Sequence, residues 1–378
     1  MKILITSDWY KPVINGVVTS VVNLCDGLTA LGHEVRVLTL SDSKEAKIEG
    51  NVYYFPSFDA HFVYPNARLK HPGSHKMIKE LVDWKPDVIH SQCEFSSFNL
   101  AKQVAKKTKA PIVHTYHTVY EDYTHYFIPW HKPGVAIVKS FSKKISKKTD
   151  AIIAPSKKVS NLLKGYGIET PIYVIPSGLD LNAYKESSKD EPLKIRENLG
   201  IKEDECILIY VGRLAKEKNL DEIMKYLTDE KCPKIRFVIV GDGPCRKMLE
   251  EEAANLKLSD RVIFTGMVSP EAVPDYYRVG DIFVNASVSE TQGLTYMEAM
   301  ASKRALLCRK DPCLDDIITE GTNGFTYETK EDFIQYLDKL VKNNELRTSF
   351  GIKACETAFE KFSTEGFAKA CTKVYESV

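Results

Sequence analysis

Apolar runs of four or five residues recur along this chain and alternate with stretches whose apolar positions repeat at helical spacing. Lys2-Ile3-Leu4-Ile5 reads as a buried strand. Asn15 to Leu31 follows, with Val18, Val21, Val22, Leu24 and Leu28 on one helical stripe and Gly32 as its stop. Val35 to Leu38 resumes as strand, which completes a βαβ unit and predicts a parallel sheet covered by helices. Asp87 to His90, Ile112 to His114 and Ala151 to Ala154 read as further strands of that sheet. Pro171 to Gly178 is a strand leading into a turn, and the polar run from Lys185 to Pro192 reads as a surface linker. A second series opens at Cys206 to Val211 and continues through Arg236 to Val240, Val262 to Phe264 and Ile282 to Val284. The prediction is an α/β protein of two doubly wound, Rossmann-like domains joined near residues 176–195. Ligands of such sheets bind at the carboxyl ends of the strands, so a cleft between the domains is the expected site.

Length and composition agree with this picture. The 378 residues exceed one typical core, and 43% hydrophobic with 27% charged residues is ordinary for a globular chain. No apolar run approaches the ~18 residues of a membrane span. The first residues reach Thr6-Ser7-Asp8 too soon for a signal peptide. Nine scattered cysteines without a CxxC pair fit reduced, buried thiols. All nine histidines precede residue 132, yet no HExxH or Cys/His ligand spacing accompanies them, so no metal site is expected. The net charge of +1 conceals an asymmetry. Residues 1–175 carry 23 basic and 15 acidic side chains (+8), and the remainder carries 29 and 36 (−7).

Several segments could carry chemistry. In Ser287 to Ala301, Glu290 and Glu298 stand eight apart around Gly293, just after a strand. Glu290 is expected in the strand-to-helix loop and Glu298 about two turns into the helix. The amides of Thr291 to Thr295 would point out of the helix N-terminus, which suits a phosphate or sugar hydroxyls. Ordinary acids at a helix start would look the same. Val211-Gly212-Arg213-Leu214 with Lys218-Asn219 also follows a strand, and Arg213 and Lys218 are placed to meet a diphosphate unless the loop is merely solvated. Gly241-Asp242-Gly243-Pro244 is half a dinucleotide fingerprint and a weak one. Gly16 lies between the first strand and its helix, where a backbone can approach a phosphate. His114 to Tyr126 is dense in polar and aromatic groups and is expected to line a polar cleft. A G-x-S-x-G elbow and a Walker A sequence are both absent.

Together these segments resemble the retaining glycosyltransferases of family four, with the GT-B fold. The resemblance rests on Glu290…Glu298 around Gly293-Leu294, Val211 to Leu214 with Lys218-Asn219, Ile175 to Asp180, Gly241 to Pro244 and Gly32 to Val35, in the family's order. His90 to Phe95 and His114 to Tyr126 look like the family's bacterial diacylglycerol glucosyltransferases. The resemblance implies UDP-glucose as donor, no metal or other cofactor, and an α-glucoside product. Arg213 and Lys218 would neutralise the diphosphate, with amides near Gly16 and at Leu294-Thr295. Glu298 would hold the ribose, and Glu290 with the amides of Gln292 and Gly293 the glucose. The backbone of Met267-Val268 would read the base, and His117 would contact the sugar or orient the donor. Retention without a covalent intermediate is the usual expectation, by front-face attack assisted by the departing phosphate. Gln292 and Ser302-Lys303 depart from the family's frequent aromatic residue and small-Gly pair.

A diacylglycerol acceptor implies docking on a membrane. Residues 133–148 place Ile137, Val138, Phe141 and Ile145 on one helical face beside Lys139, Lys143, Lys144, Lys147 and Lys148. Tyr126 is expected near the acceptor. Ser74 to Trp84 is a second candidate, with Met77, Ile78, Leu81 and Trp84, and Lys102, Lys106, Lys107 and Lys109 add to the basic face. Such stripes pack equally well on a sheet. The expectation is a peripheral protein on the cytoplasmic face of the membrane, bound to an anionic surface, with room for activation by anionic lipids and with no nucleic-acid partner. Another acceptor in the same family, or a silent lipid-binding homologue, are the alternatives. The expected domains are 1–175, facing acceptor and membrane; 176–360, holding the nucleotide sugar; and a helix in 361–378 that the resemblance returns to the first domain.

Overall fold

The computed structural model describes residues 1–13, 15–60, 68–71, 75–123, 131–185, 190–202 and 204–378. Two units divide the chain: Met1–Leu179 with Thr364–Val378, and Asp180–Ser363. The first unit contains β1 (Lys2–Thr6), α1 (Gly16–Ala30), β2 (Glu34–Leu40), β3 (Lys47–Glu49), β4 (Val52–Phe55), β5 (Ser57–Asp59), β6 (Arg68–Lys70) and α2 (His75–Trp84). It continues with β7 (Val88–Ser91), α3 (Ser96–Thr108), β8 (Ile112–Thr115), α4 (Tyr120–Tyr123), α5 (His131–Ser146), β9 (Ala151–Ala154), α6 (Lys157–Gly165) and β10 (Ile172–Val174). The second contains α7 (Asn182–Lys185), α8 (Asp190–Asn198), β11 (Ile207–Val211), α9 (Leu220–Leu227), β12 (Arg236–Val240), α10 (Arg246–Asn255), β13 (Val262–Gly266) and α11 (Val273–Val279). β14 (Ile282–Asn285), α12 (Leu294–Ala301), β15 (Ala305–Arg309), β16 (Gly324–Tyr327), α13 (Lys330–Lys342) and α14 (Asn344–Lys361) complete it, and α15 (Thr364–Tyr375) belongs again to the first unit.

The first sheet has the order β10-β9-β8-β7-β1-β2-β4-β3, parallel except for the antiparallel edge strand β3. All residues of β7, β8 and β9 are buried, as continuous apolar runs in a doubly covered parallel sheet require. On one face, Val21, Leu24 and Leu28 of α1 join Phe367, Ala368, Cys371 and Val374 of α15 over Ile3, Ile5 and Val37. Asn15 starts α1 by accepting from the Val18 N–H (2.9 Å).

The other face corrects an expectation. Met77, Ile78, Leu81 and Trp84 of α2 pack with Phe98, Ala101 and Val104 of α3 on Leu4, Leu38 and Ile89. That stripe is core, not a membrane surface, because the sheet's second face needs covering. The α5 stripe splits: Val138 and Ile145 are buried, Phe141 is half-buried, and Ile137 stands 57% exposed. Tyr126 lies outside the described residues.

The second sheet is parallel throughout, in the order β13-β12-β11-β14-β15-β16. Both sheets reverse their winding once, between β1 and β7 and between β11 and β14. Such reversals open a crevice at the carboxyl ends of the two central strands. The polar run read as a linker is helical from Asp190 onward.

Candidate active site

Arg213 and Lys218 follow β11, and Glu290 follows β14, the two strands of the reversal in the second unit. After β11 the chain makes one tight turn at Lys216–Lys218, and Asn219 takes a left-handed conformation (φ 49°) before α9. The Asn219 side chain donates to Ala286 O (3.2 Å) and so ties this loop to the one after β14. Lys218 Nζ donates to Glu290 Oε1, with only 17% and 16% of the two side chains exposed. Burial opposes the Lys218 charge, but the facing Glu290 carboxylate outweighs it and holds the pKa above the ordinary lysine value. Arg213 pairs with Glu217 (2.6 Å) and remains 44% exposed. Beneath them, the buried Tyr210 hydroxyl donates to Arg213 O (3.0 Å).

Glycine at 293 decides where α12 begins. Its φ is +76°, and a Cβ there would run into the Tyr296 ring. The helix therefore starts at Leu294, and its first amides, Leu294 and Thr295, face out of the N-terminus. Glu298 consequently lies one turn into an eight-residue helix, not two. Its Oε2 accepts from Tyr277 (2.7 Å), and Tyr184 also hydrogen-bonds it. Burial raises the Glu298 pKa, and the two phenols work against that rise. Gln292 is buried, and its side-chain amide donates to Met297 Sδ (3.3 Å).

Gly241-Asp242-Gly243-Pro244 has a packing role. At Gly241 (φ +128°) an added Cβ would overlap the Gly212 carbonyl oxygen, and Gly212 N donates back to Val240 O (3.0 Å). The loops after β11 and β12 thus lie backbone against backbone. Met267, after β13, is 73% exposed, and Val268 is half-buried. Among the described residues no group of three or more His, Cys, Asp or Glu side chains is placed to hold a metal ion.

Gly16 and His117 belong to the first unit, where Gly16 is the first residue of α1. His117 Nε2 lies 2.7 Å from Gln92 Oε1. Burial first, and His114 second, push the His117 pKa down to about 3, so the imidazole is neutral at physiological pH. His114 is fully buried and meets Glu94 Oε1 (3.3 Å), whose Oε2 accepts from Tyr120 (2.5 Å). Asp8, just past β1, accepts from the Ser97 N–H (2.7 Å), and burial raises its pKa to about 6. The segment from His114 thus begins as buried network.

Sequence reasoning missed Tyr184 and Tyr277 around Glu298, and Asp8; it carried Asn219, Gln92 and Glu94 only inside the segments of the resemblance, with no role of their own. A signal existed for Asp8, Gln92 and Glu94: polar residues directly after buried strands at a sheet's centre.

Comparison with known proteins fits this geometry. Residues 14–183 match the family model for Glycosyltransferase Family 4, and residues 193–357 match that for Glycosyl transferases group 1. The chain is 35% identical to the alpha-monoglucosyldiacylglycerol synthase of Acholeplasma laidlawii over 99% of this chain and 96% of that protein. It is also 35% identical to the Streptococcus pneumoniae protein of the same name, over 88% and 76%. The sulfoquinovosyl transferase SQD2 of Arabidopsis thaliana is 29% identical over 92% of this chain and 67% of its own. Among solved structures, Anabaena Alr3699/HepE in complex with UDP-glucose superposes with a TM-score of 0.77 at 17% identity, covering 100% of both chains. Sucrose-phosphate synthase from Thermosynechococcus elongatus does so with 0.77 at 18%, covering 100% of this chain and 98% of its own. The fold is GT-B, and the chain belongs to the family-four glycosyltransferases.

Proposed function

We propose that this protein transfers glucose from UDP-glucose to the 3-hydroxyl of 1,2-diacylglycerol with retention, giving an α-glucosyl diacylglycerol. The observation that carries the reading is the 35% identity, over nearly the whole chain, to an alpha-monoglucosyldiacylglycerol synthase. The site geometry supports it. Arg213 and Lys218 neutralise the diphosphate together with the α12 amides of Leu294 and Thr295, and Gly16 adds its own amide. Glu298 accepts from the ribose. Glu290 and the backbone of Gln292-Gly293 hold the glucose, and Met267-Val268 meets the base. Stabilising the departing diphosphate electrostatically supplies much of the rate. The bond from C1 to the phosphate oxygen breaks, the bond from C1 to the acceptor oxygen forms on the same face, and the acceptor proton passes to the departing phosphate. His117, kept neutral, contacts the sugar through its ring or its carbonyl. The amides and cations of the chain suffice for this chemistry without a bound cofactor.

The acceptor requires a membrane surface, at the cytoplasmic face, on which the protein is peripheral. Among the described residues no helix is long and apolar enough to cross a membrane. Lys144, Lys147 and Lys148 of α5 and its C-terminal turn are exposed, Lys143 is half-buried, and Ile137 projects from the same helix. Burial lowers the Lys102 pKa, and Lys148 and Lys144 lower it further, so α3 and α5 share one basic surface. Each lysine near an anionic bilayer contributes about 1 kcal/mol.

The test is a product assay with radiolabelled UDP-glucose and dispersed diacylglycerol, with the anomer assigned by NMR. An α-glucolipid is expected. Transfer only to a soluble acceptor, or no turnover, overturns the reading. Cosedimentation with anionic but not neutral vesicles is expected at low salt, and equal binding to both refutes the surface assignment.

A further inference from the structure

Gln92 stands at the reversal of the first sheet, between β1 and β7. Its backbone N–H donates to Thr6 O (2.8 Å) at the end of β1, and its side chain belongs to a residue only 1% exposed. The carboxamide faces in two directions. Oε1 lies 2.7 Å from His117 Nε2. Nε2 is buried and has no hydrogen-bond partner among the described residues. A glutamine serving only to fill this space would have both ends bonded, because an unmade buried hydrogen bond is costly.

A carboxamide oxygen accepts and cannot donate. With the carboxamide in this orientation, His117 carries its proton on Nε2, which leaves Nδ1 with a lone pair. The neutral state of the ring keeps that distinction intact, since a second proton on Nδ1 would abolish the acceptor. The neighbours of the ring do not add one: His114 engages Glu94 through Nε2, and His90 is committed to Tyr375 (2.6 Å) and Thr115 (2.7 Å).

We propose that Gln92 is a positioning residue: it fixes His117 as the Nε2–H tautomer and so presents Nδ1 as a hydrogen-bond acceptor for a sugar hydroxyl. The unspent amide N–H of Gln92 is a buried donor that a bound hydroxyl compound completes. This inference rests on the reading of His117 as a sugar-contacting residue.

The experiment uses the full chain with ¹⁵N-labelled histidine. Two-bond ¹H–¹⁵N correlations report the tautomer of each ring, and His117→Phe identifies the His117 signals by their loss. Wild type is expected as Nε2–H. Gln92→Met, which matches the length and removes the acceptor, is expected to give a tautomer mixture. Its kcat should fall about 10- to 100-fold, as misorientation at a reacting centre does, with the donor KM within about twofold. A wild-type ring protonated on Nδ1 overturns the inference even if the variant does not fold. So does an unchanged tautomer in Gln92→Met. A tautomer that shifts while kcat stays normal leaves the positioning role standing and refutes the contact between His117 and the sugar.

Discussion

The carboxyl ends of the two sheets have the same topology and opposite chemistry. In the second unit, the loops after β11 and β14 bring cations and anions together, as Lys218 with Glu290 and Arg213 with Glu217. In the first, the residues after β1, β7 and β8 include the buried carboxamide of Gln92, the neutral imidazole of His117 and the carboxylates of Asp8 and Glu94, which pair with no lysine or arginine among the described residues. Paired charge at a strand end is suited to exchanging one anion for another, because the cation is already ordered when a diphosphate arrives. Buried neutral groups are suited to hydroxyls, which both donate and accept. One architecture thus offers a charged crevice of ion pairs and one without cations among the described residues, neutral at Gln92 and His117.

The largest expected effect tests the charged crevice. Lys218→Ala removes the Lys218–Glu290 ion pair and a group aimed at developing charge. We expect kcat/KM for UDP-glucose to fall about 10²- to 10³-fold, the usual loss for one stabilising donor. Steady-state kinetics, with circular dichroism to confirm folding, measures it. A folded variant with normal kcat/KM would show that the Lys218–Glu290 pair is structural, and the contrast between the units would lose its functional meaning.

The next effect tests the neutral crevice. Asp8 binds its proton more tightly in the folded state than in the unfolded, because burial raises its pKa to about 6. A raised carboxyl pKa makes stability fall as pH rises from about 4 through about 6. Asp8→Asn keeps an oxygen for the Ser97 N–H and carries no charge. It should stabilise the protein by about 3 kcal/mol at pH 8, the free-energy equivalent of that shift, and by almost nothing at pH 4. Urea denaturation at both values decides it. A constant difference between variant and wild type falsifies the buried-charge account.

How far the two crevices are legible in the sequence follows from their chemistry. Ile207 to Val211 and Ala151 to Ala154 are readable as strands because a parallel sheet covered on both faces demands continuous apolar runs. The edge strand Lys47–Glu49 is exposed throughout and carries no such run. Ala305–Arg309 and Gly324–Tyr327 extend the second sheet past Val284, where the sequence reading ends it. The charged crevice is visible in advance because Arg213, Lys218, Glu290 and Glu298 cluster in two segments. The neutral one is visible only in part: Gln92 and Glu94 lie just after β7 in the His90 to Phe95 segment, but Asp8 joins them from the end of β1 and looks like an ordinary polar residue singly. The α2 and α5 stripes show the limit of periodicity: it marks a helix with one apolar face and does not say what that face meets.

The smallest effect concerns Glu298, the carboxylate in the second unit that most resembles those of the first. Among the described residues it has no cation either; Tyr277 and Tyr184 supply hydrogen bonds to it. Tyr277→Phe removes the 2.7 Å bond and one of the two influences that keep the Glu298 pKa from rising further. A hydrogen bond to a charged group contributes about 1.5–3 kcal/mol, so we expect a stability loss near the lower end, about 1.5 kcal/mol, because Tyr184 remains. If Glu298 holds the ribose as a carboxylate, protonation weakens it as an acceptor by removing the charge, and the variant protonates at higher pH than wild type. The donor KM should therefore approach the wild-type value at high pH and diverge upward from it as pH falls. Parallel profiles would mean that Glu298 binds no hydroxyl, whereas divergence would make it a neutral-crevice device transplanted into the charged one.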